Sequence, residues 1–129
     1  MSTFTQTGYC GEDFVAKYLS SQGYEIVHRN YHCVYGEIDI IAKEGNFIVF
    51  IEVKVRKKGS LVSPLESVSR SKRAKIIKSA VKYMTENGWN LQPRFDIFAL
   101  EIENSGNFET PEFEHFKNAF TADGMGLYV

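Results

Sequence analysis

Glu37, Asp39, Glu52 and Lys54 are the residues of this chain whose types and spacing could do chemistry. They interrupt two runs that are otherwise solidly apolar, Gly36-Glu37-Ile38-Asp39-Ile40-Ile41-Ala42 and Val49-Phe50-Ile51-Glu52-Val53-Lys54-Val55-Arg56. The Ile and Val content and the intervening turn signal Glu44-Gly45-Asn46 predict two strands of a hairpin. A two-residue Gly45-Asn46 loop sets Glu44 opposite Phe47, which brings Asp39 opposite Glu52 and Glu37 opposite Lys54. The two-residue period of a strand then places all four charges on one patch of sheet. Like charges directly across a strand pair destabilise it. An unpaired ion among Ile40, Ile51 and Val53 carries a desolvation cost of several kcal/mol. A divalent cation removes both objections, because carboxylate oxygens completed by water and a substrate phosphate suit Mg²⁺. A lysine beside it can orient an attacking water or stabilise charge on a phosphate. The competing reading is a Glu37–Lys54 cross-strand salt bridge with Asp39 and Glu52 on a solvated face; the apolar flanks, typical of a central strand, weigh against it.

The elements that must position these groups are legible around them. A first helix is expected from about residue 7 to 22, with Val15, Ala16, Tyr18 and Leu19 on its buried side and Gly23 ending it. Glu12 lies at the margin of that stripe, and either reaches into a site or favours the helix N-terminus electrostatically. Residues 24–31 read as a strand, followed by the hairpin strands 37–42 and 47–56. Residues 57–64 form a loop rich in turn-formers. A second helix is expected from residue 69 or 71 to Asn87, with Ile76, Ile77, Ala80, Val81 and Met84 on one face. A strand from Arg94 to Glu103 and a further element around Phe113 to Phe120, a strand or a short helix with the strand favoured, complete an α/β domain. The 129 residues suit a single domain, 1–129, whose segment from about 121 is expected to fray.

Charge is unevenly distributed although the net value is only −1. Residues 54–82 carry ten Lys and Arg against Glu66 alone, while the segments on either side are acidic. A basic block directly after an acidic cluster is what an enzyme of the phosphate backbone needs, positive charge for the strand and negative charge for a metal. The alternative is a Lys-rich helix that is only a solvated face. Cys10 and Cys33 lack the spacing of a zinc site. No apolar run approaches a membrane span, and no basic-then-apolar leader opens the sequence, so no membrane association and a cytoplasmic location are expected.

Asp39, a turn, then Glu52-Val53-Lys54 resembles the core motif of the PD-(D/E)XK nuclease superfamily. More closely, the chain resembles the YraN-type family of small bacterial proteins, relatives of archaeal Holliday-junction resolvases. The matching elements run in order through Gly11-Glu12, Ala16, Tyr18-Leu19, Gly23-Tyr24, Arg29-Asn30, Gly36-Glu37-Ile38-Asp39, Glu52-Val53-Lys54-Val55-Arg56 and Arg94-Phe95-Asp96. The resemblance implies a restriction-endonuclease-like fold, a mixed central sheet of about five strands flanked by helices. It implies Asp39, Glu52 and the Val53 backbone carbonyl as ligands of Mg²⁺ or Mn²⁺, and Lys54 as the catalytic lysine. Glu12 occupies the place of a helix glutamate that completes the site in resolvases, and Glu37 is either a further ligand or a partner that orients Lys54. His32 departs from the family, whose members often carry a basic residue there. The function expected is metal-dependent endonucleolytic hydrolysis of DNA, with branched or flapped structures as candidate substrates and DNA favoured over RNA. Arg56, Lys57, Lys58, Arg70, Lys72 and Arg73 are the expected phosphate contacts, and a homodimer is expected by analogy with two-fold resolvases. The alternative function is a nucleic-acid-binding adaptor that keeps the scaffold without cutting.

Overall fold

A computed structural model of the chain describes residues 3–102 and 111–122, with side chains from residue 11 onward. The tail expected to fray lies, from residue 123, outside the described residues. The elements in chain order are α1 (Thr3–Ser21), β1 (Glu25–Cys33), β2 (Gly36–Glu44), β3 (Phe47–Lys57), α2 (Arg70–Asn87), β4 (Gln92–Ile102) and β5 (Glu112–Phe120). Gly45 takes φ 56°, the left-handed conformation that lets two residues reverse the chain. Glu44 consequently pairs with Phe47, and Ile41 with Phe50, as the turn chemistry predicts.

The five strands form one sheet in the order β1-β2-β3-β4-β5. All neighbours are antiparallel except β3 and β4, which α2 connects as a crossover and which run parallel. This is a mixed sheet flanked by two helices, a restriction-endonuclease-like fold. β3 and β4 are central, and their apolar runs are buried on both faces, as a doubly covered pair requires.

Each helix closes one face. α1 lays Val15, Ala16 and Leu19 on Ile40, Ala42, Val49, Ile51, Phe98 and Leu100. α2 lays Ile76, Ile77, Ala80 and Tyr83 on Ile41, Ile48, Phe50, Phe95 and Ile97. Fully burying one such aliphatic or aromatic side chain stabilises by about 1.5–3 kcal/mol, so the two faces together supply most of the driving force. The buried stripe of α2 differs from the expected one. Val81 is 36% exposed and Met84 only half-buried, whereas Ser79 and Tyr83 face inward. Tyr83 is drawn in by ring contacts with His28, Tyr31 and Phe50, and the Ser79 hydroxyl is satisfied by donating to the Lys75 carbonyl.

α2 is cleanly bounded. The Ser69 hydroxyl accepts the Lys72 N–H at 3.1 Å, and Gly88 ends the helix at φ 67° with its N–H on the Met84 carbonyl. Its first turn is thereby fixed at the end of the sheet where β2 begins and β3 finishes. Among the described residues no helix is long and apolar enough to cross a membrane.

Candidate active site

The hairpin register holds only as far as Ile40–Ile51. Beyond that pair β2 stays bound to β1 through Ile38–Tyr31 and Glu37–His32, while β3 stays bound to β4 through Glu52–Ile97 and Lys54–Ala99. The sheet therefore forks at Asp39 and Glu52. The strict cross-strand pairs expected from the turn, Asp39 with Glu52 and Glu37 with Lys54, do not form. The charges supply a physical reason: two carboxylates set directly opposite would repel, and opening the ladder relieves them. Splaying strands would orphan backbone donors, and Asp39 solves that, because its Oδ2 accepts the Val53 N–H at 2.8 Å. Ile38 and Ile40, two residues apart, belong to the two opposite cores, so the strand alternation breaks at Asp39.

Carboxylates and cations from both helices and from β1, β2 and β3 act on the fork. Glu52 is buried at 7% exposure, and its Oε1 lies 3.9 Å from Nζ of Lys72, on the first turn of α2. Burial, then the charge of Asp39, push the Glu52 carboxyl up to about 8, against the pull of Lys72 and Lys54. Burial likewise raises Asp39, and the Val53 N–H offsets only part of that cost. Glu12 approaches from α1, with one buried carboxylate oxygen that has no hydrogen-bond partner. Burial, then Asp39, push it up to about 7, although Arg29 opposes them. Lys54 is half-buried and favours the charged forms of both Asp39 and Glu52.

The start of α1 decides how Glu12 is read. The helix begins at Thr3, four residues earlier than expected, so Glu12 is well inside it. Helix-terminus electrostatics fade within the first turn, which removes the reading in which Glu12 merely favours the N-terminus. Glu37 stands at the edge of the site: it is exposed and 3.3 Å from His32 Nδ1, with no ion pair to Lys54.

The basic residues divide. Lys57 and Lys58 are exposed, with Lys58 Nζ 3.4 Å from Glu112. Arg70 is exposed at the start of α2. Arg56 donates weakly to the Ser60 carbonyl at 3.3 Å, yet its Nε and Nη1 are buried without partners. Such donors suit an anion. Arg73, expected to contact phosphate, instead turns inward. Its Nε donates to the Val68 carbonyl at 2.8 Å, Nη2 donates to the Leu65 carbonyl, and the guanidinium lies over the Phe120 ring. Lys72 is drawn to the carboxylates.

Among the described residues no three His, Cys, Asp or Glu side chains stand together at metal-ligand spacing. The donors converge on the fork, but Asp39 is held by Val53 and Glu52 faces Lys72.

A second polar cluster, given no role by sequence reasoning, is buried around β4, where Asp96 pairs with Ile51, one register step from Glu52–Ile97 and on the opposite face of the sheet. Asp96 is fully buried and accepts from Arg94 Nε at 3.0 Å and Nη2 at 2.9 Å, and from the Asn118 N–H at 2.9 Å. His115 Nε2 lies 2.7 Å from its Oδ2. Arg94 also donates to Glu44 and to the Tyr24 hydroxyl, each at 2.8 Å. Burial alone would raise the Asp96 carboxyl, yet His115, Arg94 and the Asn118 N–H together hold it below the ordinary value. Arg94 and Asp96, two apart in an apolar strand, were the available signal. A cavity of about 430 Å³ adjoins Arg94, Phe47 and Asn118; it contains none of the fork carboxylates, and the Arg94 donors beside it are already engaged.

Comparison with known proteins agrees with this architecture. The profile of UPF0102, described as an uncharacterised protein family, matches residues 11–100. A UPF0102 protein of Rhodococcus jostii is 43% identical over 115 residues, covering 88% of this chain and 94% of that protein. One from a Sulfurihydrogenibium species is 43% identical over 122 residues, covering 92% and 97%. One from Geobacter sulfurreducens is 38% identical over 114 residues, covering 88% and 87%. The chain belongs to the UPF0102 family, which lies within the restriction-endonuclease-like superfamily.

Proposed function

We propose that this UPF0102 member hydrolyses DNA phosphodiester bonds at the fork between β2 and β3, using Mg²⁺ or Mn²⁺, with branched or flapped DNA as its substrate class and the cytoplasm as its place of action. The observation that carries the reading is the pair Asp39 and Glu52, a half-buried and a buried carboxylate, both with raised pKa, beside a basic segment. Buried charge of this kind is retained where a cation or a function compensates it. The unpartnered oxygen of Glu12 supplies the fit, an acceptor for which the fold provides no donor. Asp39, Glu52 and the Val53 carbonyl would hold the cation, with Glu12 and Glu37 at its margin. When bound, it would polarise the scissile phosphate and lower the pKa of a water.

The other roles belong to the chain's own side chains. Lys54 stabilises charge developing on the phosphate or orients the water. The unpartnered nitrogens of Arg56 take a flanking phosphate oxygen, and Lys57, Lys58 and Arg70 add sequence-independent affinity. A second reading, an adaptor that binds DNA without cutting, is favoured by the lack of a ready-made ligand triad among the described residues.

Labelled duplex, single-stranded, flap and four-way-junction DNA, incubated with Mn²⁺, Mg²⁺ or EDTA, tests the two together. Metal-dependent cutting lost in Lys54→Ala is the expected result. Salt-sensitive binding with no cutting in any metal would establish the adaptor instead.

A further inference from the structure

The ammonium of Lys72 is the nearest cation to Glu52, 3.9 Å from Oε1, and it reaches the fork from the first turn of α2. It lies outside the two strands that carry the other charges, and it is the group that opposes the mutual repulsion of Asp39 and Glu52 most directly. Ser69 caps that turn, so the stem of Lys72 starts from a fixed backbone. The side chain itself is 37% exposed, which leaves it a route out toward solvent. An ammonium and a divalent cation cannot share one carboxylate face at short range without strong repulsion.

We infer that Lys72 is the site's resident counter-ion: it faces Glu52 and balances its ionised form while no metal is present, and a divalent cation binding at Glu52 displaces it toward the approach taken by a phosphodiester. Lys72 is thus a positioning residue that couples metal occupancy to phosphate binding, and this role rests on the cation-site reading above. It also gives a physical account of the dispersed carboxylates, since Glu52 is turned to Lys72 in place of a shared ligand position. Lys75, one turn along on α2 and exposed, carries the same charge without an ion pair to Glu52 and serves as the control.

The test is calorimetric titration of Mn²⁺ into the whole protein without DNA, comparing the unmodified chain with Lys72→Met, Lys72→Arg and Lys75→Met. Lys72→Met should bind Mn²⁺ roughly tenfold more tightly, Lys72→Arg no more tightly than the unmodified chain, and Lys75→Met within about twofold of it. In a parallel titration with diamagnetic Mg²⁺, the side-chain NMR signals of Lys72 should shift with the midpoint of metal binding. Mn²⁺ binding that is unchanged in Lys72→Met, or Lys72 signals that ignore Mg²⁺, would overturn the counter-ion role alone. Failure of every variant to bind either ion would overturn it together with the cation site.

Discussion

Two acidic clusters, each with one buried carboxylate at its centre, occupy adjacent strands of the same sheet, and they have opposite characters. Around Asp96, on β4, every carboxylate oxygen has a donor, Arg94 binds it in bidentate fashion, and its pKa is lowered. Around Asp39 and Glu52, on β2 and β3, backbone pairing is given up, one Glu12 oxygen has no partner, and the carboxyl pKa values are raised. A buried charge network that is fully satisfied holds a structure together; one left incomplete within the same fold marks a candidate functional site. The first cluster ties the hairpin turn, β4 and β5 into one unit through Glu44, Arg94 and His115. The second forks the sheet.

The contrast is most exposed to contradiction by removing one carboxylate from each cluster. Asp96→Ala leaves Arg94 buried without its main partner and should cost about 3–5 kcal/mol in urea denaturation. Glu52→Gln should act in the opposite direction, stabilising the metal-free protein by about 1–3 kcal/mol at pH 8, because it removes repulsion and desolvation together. If both variants destabilise equally, the fork is an ordinary structural network.

Titration gives the next largest effect, and its sign differs between the clusters. Glu52 has a folded pKa near 8, above its ordinary value of 4.5, so the folded form binds the proton more tightly. Its contribution to stability is fully present below about pH 4.5 and is lost as pH rises through 8. Glu12, near 7, acts in the same sense. Asp96, with a lowered pKa, contributes above its ordinary value of 3.8 and loses that contribution as pH falls through its folded value. The melting temperature of the metal-free protein should therefore drop by about 5–10 °C between pH 5 and pH 8.5, and Glu52→Gln should flatten that slope. The smallest effect expected is that of Tyr24→Phe. It removes one acceptor from an Arg94 that retains Asp96 and Glu44, so thermal denaturation should show a loss of only about 1 kcal/mol.

Much of this was legible in the chain, for identifiable reasons. Gly45-Asn46 dictated the turn, and with it the register from Glu44–Phe47 to Ile40–Ile51. Ser69 and Asn87-Gly88 bounded α2 within a residue of its observed limits. The fork was not legible, because a regular ladder was extrapolated through residues whose own repulsion breaks it. The inward turn of Arg73 depends on carbonyls in the preceding loop and on Phe120, forty-odd residues away. The Asp96 network needs Tyr24, Glu44 and His115, drawn from three other parts of the chain. Local pattern identifies a charge that must be compensated; only the tertiary fold supplies its partner.

If the fork holds a divalent cation, its carboxylates exchange protons for that ion. Mn²⁺ titration of the unmodified protein at pH 6 and pH 8, each in two buffers of different ionisation enthalpy, tests it directly. Carboxyls with pKa values of about 7 and about 8 must ionise to bind. Affinity should therefore rise roughly tenfold or more between the two pH values, with net proton release at pH 6. Binding of equal strength at both pH values with no proton released, or no binding at either, would rule out a cation site built on these carboxyls.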